Sequence, residues 1–221
     1  KLATTFAKVG YLVYTPFVDD YIKLHIKPNT YTDIAAVFDD LYEYSYKNFQ
    51  DPQPIILSLS FGSLMAFKLA SDLKRRDKIK HMLLFGGYAE WLPTVQAIVE
   101  GDRYRQQSKQ YDRQVLPVIF IHLLSLICKD DSQLDRDLIQ KKTDEFIAKS
   151  WNSQEPKGLS LLRSIAQDIS KDMAIHDKKI FLQGCGLESG YQAMFMNYLK
   201  KAKFKYLEPL TNKENILCPI S

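Results

Sequence analysis

The chain has 221 residues, 46% of them hydrophobic and 25% charged, which is typical of a globular protein with one sizeable domain. Its formal net charge is +4, and the 30 basic and 26 acidic residues are spread along the sequence, so a nucleic-acid-binding arm is not indicated. Cys128, Cys185 and Cys218 are far apart and lack the spacing of a disulfide framework or a zinc site. We therefore expect no metal and a reducing, cytoplasmic location.

The longest apolar run, 115–128, contains Pro117, His122 and Ser125 and is shorter than the roughly 20 residues that a membrane-spanning helix needs. It is therefore predicted to be buried in the protein core, or alternatively to line a site for an acyl chain, and not to cross a membrane. No initiator Met or signal peptide precedes the first predicted helix, so we expect the chain to be a fragment of a longer protein.

The first part of the chain alternates segments of helical and of strand character. Apolar periodicity, capping residues and Gly or Pro breaks give, in order, a helix over 2–9, a strand over 11–14, a helix over 30–49, a strand over 55–58, a helix over 62–76 and a strand over 80–85. This alternation predicts a mostly parallel sheet with flanking helices.

Residues 90–175 interrupt that alternation with amphipathic helices only, after which strand, helix and strand follow over 179–182, 191–201 and 203–207. The predicted fold class is thus α/β, with a mostly parallel sheet and a helical cap insertion. The chain divides into a first part of the α/β core over 1–89, the cap over 90–175 and the last part of the core over 176–221.

The segment Ser58-Leu59-Ser60-Phe61-Gly62 joins a predicted strand to a predicted helix. It resembles the nucleophile elbow of the α/β-hydrolase superfamily, whose pattern is G-x-S-x-G and whose outer positions must be small. Here the pattern is S-x-S-x-G, and Ser60 is the candidate nucleophile. The alternative is that Ser58, Ser60 and Ser63 only form a tight turn whose hydroxyls cap the helix.

The resemblance implies an acyl-enzyme on Ser60, with the Phe61 amide as one donor to the oxyanion. It also implies a carboxylate partner, either Glu188 after the strand predicted over 179–182 or, alternatively, Glu90 after the strand over 80–85. The base of the family follows the last strand, where this chain has no histidine. His25, on the loop after the strand over 11–14, is the candidate base that remains.

The sequence therefore predicts a serine hydrolase that cleaves an ester or related acyl bond of a small apolar substrate. A catalytically inactive α/β-hydrolase-like domain that binds a ligand or a protein is the alternative. A nucleotide-binding protein would share the alternating pattern, but residues 58–63 contain too few glycines for a phosphate-binding loop. No cofactor is indicated.

Overall fold

A computed structural model describes residues 2–50, 52–88, 90–101, 113–153 and 158–207. Two strands are present in this part of the chain, β1 (Ile55–Leu59) and β2 (His81–Phe85). The helices are α1 (Leu2–Lys8), α2 (Asp19–Ile22), α3 (Thr30–Asn48), α4 (Ser63–Ser71), α5 (Trp91–Glu100), α6 (Leu116–Asp130), α7 (Arg136–Asn152), α8 (Leu159–Ile169), α9 (Ile175–Gly184) and α10 (Tyr191–Lys201).

The predicted fold class is wrong, because the described part of the chain is mostly helical and its sheet has two strands. The resemblance to the α/β-hydrolase superfamily fails for the same reason, since that fold requires an extended parallel sheet. Contacts divide the chain into two compact units, the first formed by Lys1–Trp91 with Phe204–Ser221 and the second by Leu92–Lys203.

The first unit contains the sheet, and here the prediction of parallel neighbouring strands is confirmed. Ile55 lies opposite His81 and Leu59 opposite Phe85, in parallel register. Helices α3 and α4 cover the sheet with a core whose buried members are Ala35, Phe38, Ala66, Leu69, Ala70, Ile79 and Met82. Because the apolar side chains of α4 repeat at helical spacing, they face α3 on one side and the strands on the other.

The strand predicted over 11–14 does not form. Tyr11, Leu12 and Tyr14 are all more than half exposed, and no described residue forms a strand ladder with them. A β-branched and aromatic run has the propensity for a strand, but a strand is stable only where another strand accepts and donates its backbone hydrogen bonds.

The strands predicted over 179–182 and 203–207 are also wrong. Residues 179–182 lie inside α9, where Phe181 is fully buried and packs edge-on against Phe146 with ring centroids 6.1 Å apart. A short apolar run does not by itself distinguish a strand from a buried helix. The second segment ends in a 3₁₀ turn, in which the Leu207 amide donates to the Phe204 carbonyl at 2.9 Å.

The second unit is helical, and its helices agree with most of those predicted in residues 94–169. The apolar run 115–128 forms most of α6, whose Phe120, Leu123 and Leu124 are buried to at least 99%. The Phe120 ring packs against Phe195 of α10 at 6.5 Å. The structure therefore supports the prediction that residues 115–128 are buried in the protein core. No helix in the described ranges is both long and apolar enough to cross a membrane.

Candidate functional site

The turn between β1 and α4 has a backbone conformation that is uncommon for a residue with a side chain. Leu59 is extended, Ser60–Gly62 form a 3₁₀ turn, and α4 begins at Ser63. Ser60 has a φ of +49°, in the left-handed region, and its side chain is exposed. This conformation costs an L-residue about 1–2 kcal/mol, so the surrounding structure must hold it.

The strain at Ser60 predicts an effect on stability. Glycine adopts a positive φ without a Cβ penalty, whereas alanine keeps the Cβ of serine. We therefore expect Ser60→Gly to unfold with a free energy about 1 kcal/mol higher than that of Ser60→Ala. Urea unfolding of the two variants, followed by circular dichroism, measures this difference. Equal stability of the two variants would mean that the turn relaxes and that Ser60 is not strained.

Two glycines allow the segments around this turn to approach each other closely. A Cβ on Gly62 would lie 2.6 Å from Ser58 Oγ, and a Cβ on Gly87 would lie 2.5 Å from the Cβ of Ser63. The Tyr88 amide after β2 donates a hydrogen bond of 3.1 Å to Ser63 Oγ. Packing therefore requires small residues at positions 58, 62, 63 and 87. Positions 58 and 62 are the outer positions of the predicted elbow.

Aromatic side chains hold the turn from both sides. The Phe61 ring stacks between Tyr21, at 6.1 Å, and Tyr88, at 5.9 Å. The Tyr21 hydroxyl donates a hydrogen bond of 2.6 Å to the Phe61 carbonyl. Burial raises the pKa of Tyr21 well above its usual value, so the phenol keeps the proton that it donates. This contact could not be predicted from the sequence, because Tyr21 and Phe61 are 40 residues apart.

His25 lies on the same segment as Tyr21, whose hydroxyl is hydrogen-bonded to the turn. Its amide donates to the Asp20 carbonyl at 2.8 Å, and Asp20 directly precedes Tyr21. The Asp20 carboxylate accepts hydrogen bonds from Lys27 at 2.6 Å and from Thr30 at 3.2 Å. The hydrogen bond from Lys27 holds the pKa of Asp20 below its usual value, so Asp20 is an ionised group beside His25. We did not identify this carboxylate from the sequence.

The two predicted carboxylates lie in different surroundings. Glu90 is exposed and directly precedes α5. Glu188 lies in the second unit, between α9 and α10, where it follows a helix instead of the predicted strand, and it accepts hydrogen bonds from the amide and hydroxyl of Ser189. Within the described ranges, Ser60 Oγ forms no hydrogen bond with either carboxylate or with His25.

The surface next to Ser60 is apolar. Leu59 and Phe85 end the two strands opposite each other, and their side chains are 55% and 60% exposed. Two large apolar side chains therefore remain in solvent beside the strained serine. In the described part of the chain, no group of three or more His, Cys, Asp or Glu residues could hold a metal ion.

Comparisons of the chain with protein-family models, with curated proteins and with solved structures give no match.

Proposed function

We propose that Ser60 is the nucleophile of a serine hydrolase that cleaves an ester or related acyl bond. The observation that supports this most directly is the φ of +49° at Ser60, in a turn that runs from a strand into a helix. Backbone strain of this kind occurs preferentially at functional sites, where it presents a side chain to a substrate. A serine that only capped the helix would not need this conformation.

In the proposed reaction, Ser60 Oγ attacks the acyl carbon while its proton passes to a base. The tetrahedral oxyanion accepts a hydrogen bond from the Phe61 amide, which lies at the start of the helical turn where N–H groups have no intrahelical acceptor. The alcohol leaves with a proton, and water hydrolyses the acyl-enzyme. His25 is the proposed base, since its segment is attached to the turn through Tyr21.

The proposed substrate is small and apolar in its acyl part. Its support is the exposed pair Leu59 and Phe85, which would shield an acyl chain from water beside Ser60. Short acyl esters of p-nitrophenol are therefore suitable test substrates.

The test is reaction of the intact chain with a fluorophosphonate, followed by mass spectrometry of the peptide that carries the label. We expect one label, on Ser60. Labelling elsewhere, or none at neutral pH in a chain that is shown to be folded, would refute the proposal.

In parallel, His25→Gln is expected to slow labelling, because a serine without a base is a weak nucleophile.

A catalytically inactive binding domain is the second candidate. The observation that favours it is that Ser60 Oγ has no hydrogen-bonded base within the described ranges. Under this alternative the strained turn remains, but the fluorophosphonate does not react and short esters are not hydrolysed. The labelling experiment therefore distinguishes the two candidates.

A further inference from the structure

A groove of about 450 Å³ runs along β1. It is lined by every residue of β1 and by none of β2, and its other walls come from residues 14–22, from α3 and from the first turns of α4. None of the lining residues carries a charge. The groove therefore follows one edge of the sheet over the full length of the strand.

The backbone of β1 presents unused hydrogen-bonding groups to this groove. The Pro54 carbonyl accepts a hydrogen bond from the Lys80 amide at 3.0 Å, on the β2 side. Because the N–H and C=O of successive strand residues point to opposite edges, alternate residues of β1 direct theirs away from β2. Among the described residues β1 pairs with β2 alone, so no described strand bonds to these groups at the other edge.

We propose that this groove binds an extended, uncharged and apolar segment of another polypeptide, which adds a third strand to the sheet at β1. Two strands alone are marginally stable, and parallel strands are normally buried on both faces. Addition of a strand to an open edge obtains its affinity from main-chain hydrogen bonds and its specificity from the side-chain pockets beside them. An uncharged groove selects against a charged segment, since charges lose hydration there without gaining a partner.

A second observation points to an occupant of this groove. Ser58 lines it with 8% of its surface exposed, and its hydroxyl has no hydrogen-bond partner among the described residues. A buried hydroxyl without a partner is costly, so native structures normally provide one. Tyr21 and Gly62 lie at the same end of the groove. A polar group of the added strand would satisfy Ser58 at this end.

The test uses the full chain and an acetylated synthetic peptide with the sequence Lys-Thr-Val-Ile-Val-Thr-Lys, whose terminal lysines provide solubility. We expect bound peptide to slow amide hydrogen exchange at alternate residues of β1 at least tenfold and to leave exchange in α6 unchanged. The matched probe is the same peptide with alternate amides N-methylated on one edge, which is expected to bind at least tenfold more weakly. Equal binding of both peptides, or no protection of β1, would overturn the proposal.

A second copy of the chain is the other possible occupant of this edge. Protection of β1 without peptide that rises with protein concentration would identify a second copy as the occupant and overturn the proposal. The Ser60→Ala variant should bind the peptide with the affinity of the unaltered chain. Failure of the peptide-binding inference can therefore be distinguished from failure of the hydrolase proposal.

Discussion

Replacing Ser60 with alanine is expected to lower ester hydrolysis by at least about a thousandfold and to abolish fluorophosphonate labelling. Removal of a serine nucleophile costs this much or more in hydrolases, because the remaining groups stabilise an oxyanion but cannot form an acyl-enzyme. Since alanine keeps the Cβ of Ser60 and the side chain is exposed, stability should change by less than about 0.5 kcal/mol. Initial rates on short p-nitrophenyl esters and a thermal melt measure the two quantities.

Ser71→Ala is the matched control for this prediction. Ser71 is the last residue of α4, and its hydroxyl donates to the Lys68 carbonyl of the same helix. Its loss should leave hydrolysis within about twofold of the unaltered chain, as is usual for surface substitutions far from a reacting group. Hydrolysis that survives Ser60→Ala, or that falls equally in both variants, would contradict the assignment of Ser60.

Features encoded within a few residues could be predicted from the sequence. The small residues Ser58 and Gly62, with an apolar run before them and helical periodicity after them, predicted the strand-to-helix turn that the structure contains. Most of the helices were also predicted, because amphipathic spacing depends on neighbouring positions of one chain. The parallel pairing of β1 with β2 followed from the helix between them.

Strand formation elsewhere could not be predicted from local sequence, because a strand depends on a partner that is distant in the chain. Residues 11–14 have strand propensity without a pairing partner in the described part, and residues 179–182 are apolar because Phe181 packs in a helical core. The contacts of the candidate site could not be predicted for the same reason, since they join residues that are distant in the chain. The hydrogen bond from Tyr21 to Phe61, which brings the segment of Asp20 and His25 to the turn, has no signature in the sequence.

Gly87→Ala is expected to destabilise the first unit by about 2 kcal/mol, within the range typical of overpacking. The new Cβ would lie 2.5 Å from the Cβ of Ser63 and 2.9 Å from its hydroxyl oxygen. A Cβ position cannot be changed by side-chain rotation, so the loop after β2 must move and the hydrogen bond from the Tyr88 amide must lengthen. Urea unfolding with an unchanged m-value measures the loss.

Gly62→Ala is the comparison that separates this mechanism from a general effect of adding a methyl group to the turn. Its Cβ would meet the Ser58 hydroxyl oxygen at 2.6 Å, whereas the Ser58 Cβ lies at 3.7 Å. Rotation of the hydroxyl relieves most of that contact, so the cost should stay below about 1 kcal/mol.

A double-mutant cycle completes the test, because Ser63→Gly removes both atoms that Gly87→Ala meets. The cost of Gly87→Ala should fall by at least about 1 kcal/mol in that background, and an unchanged cost would place the strain elsewhere in the loop.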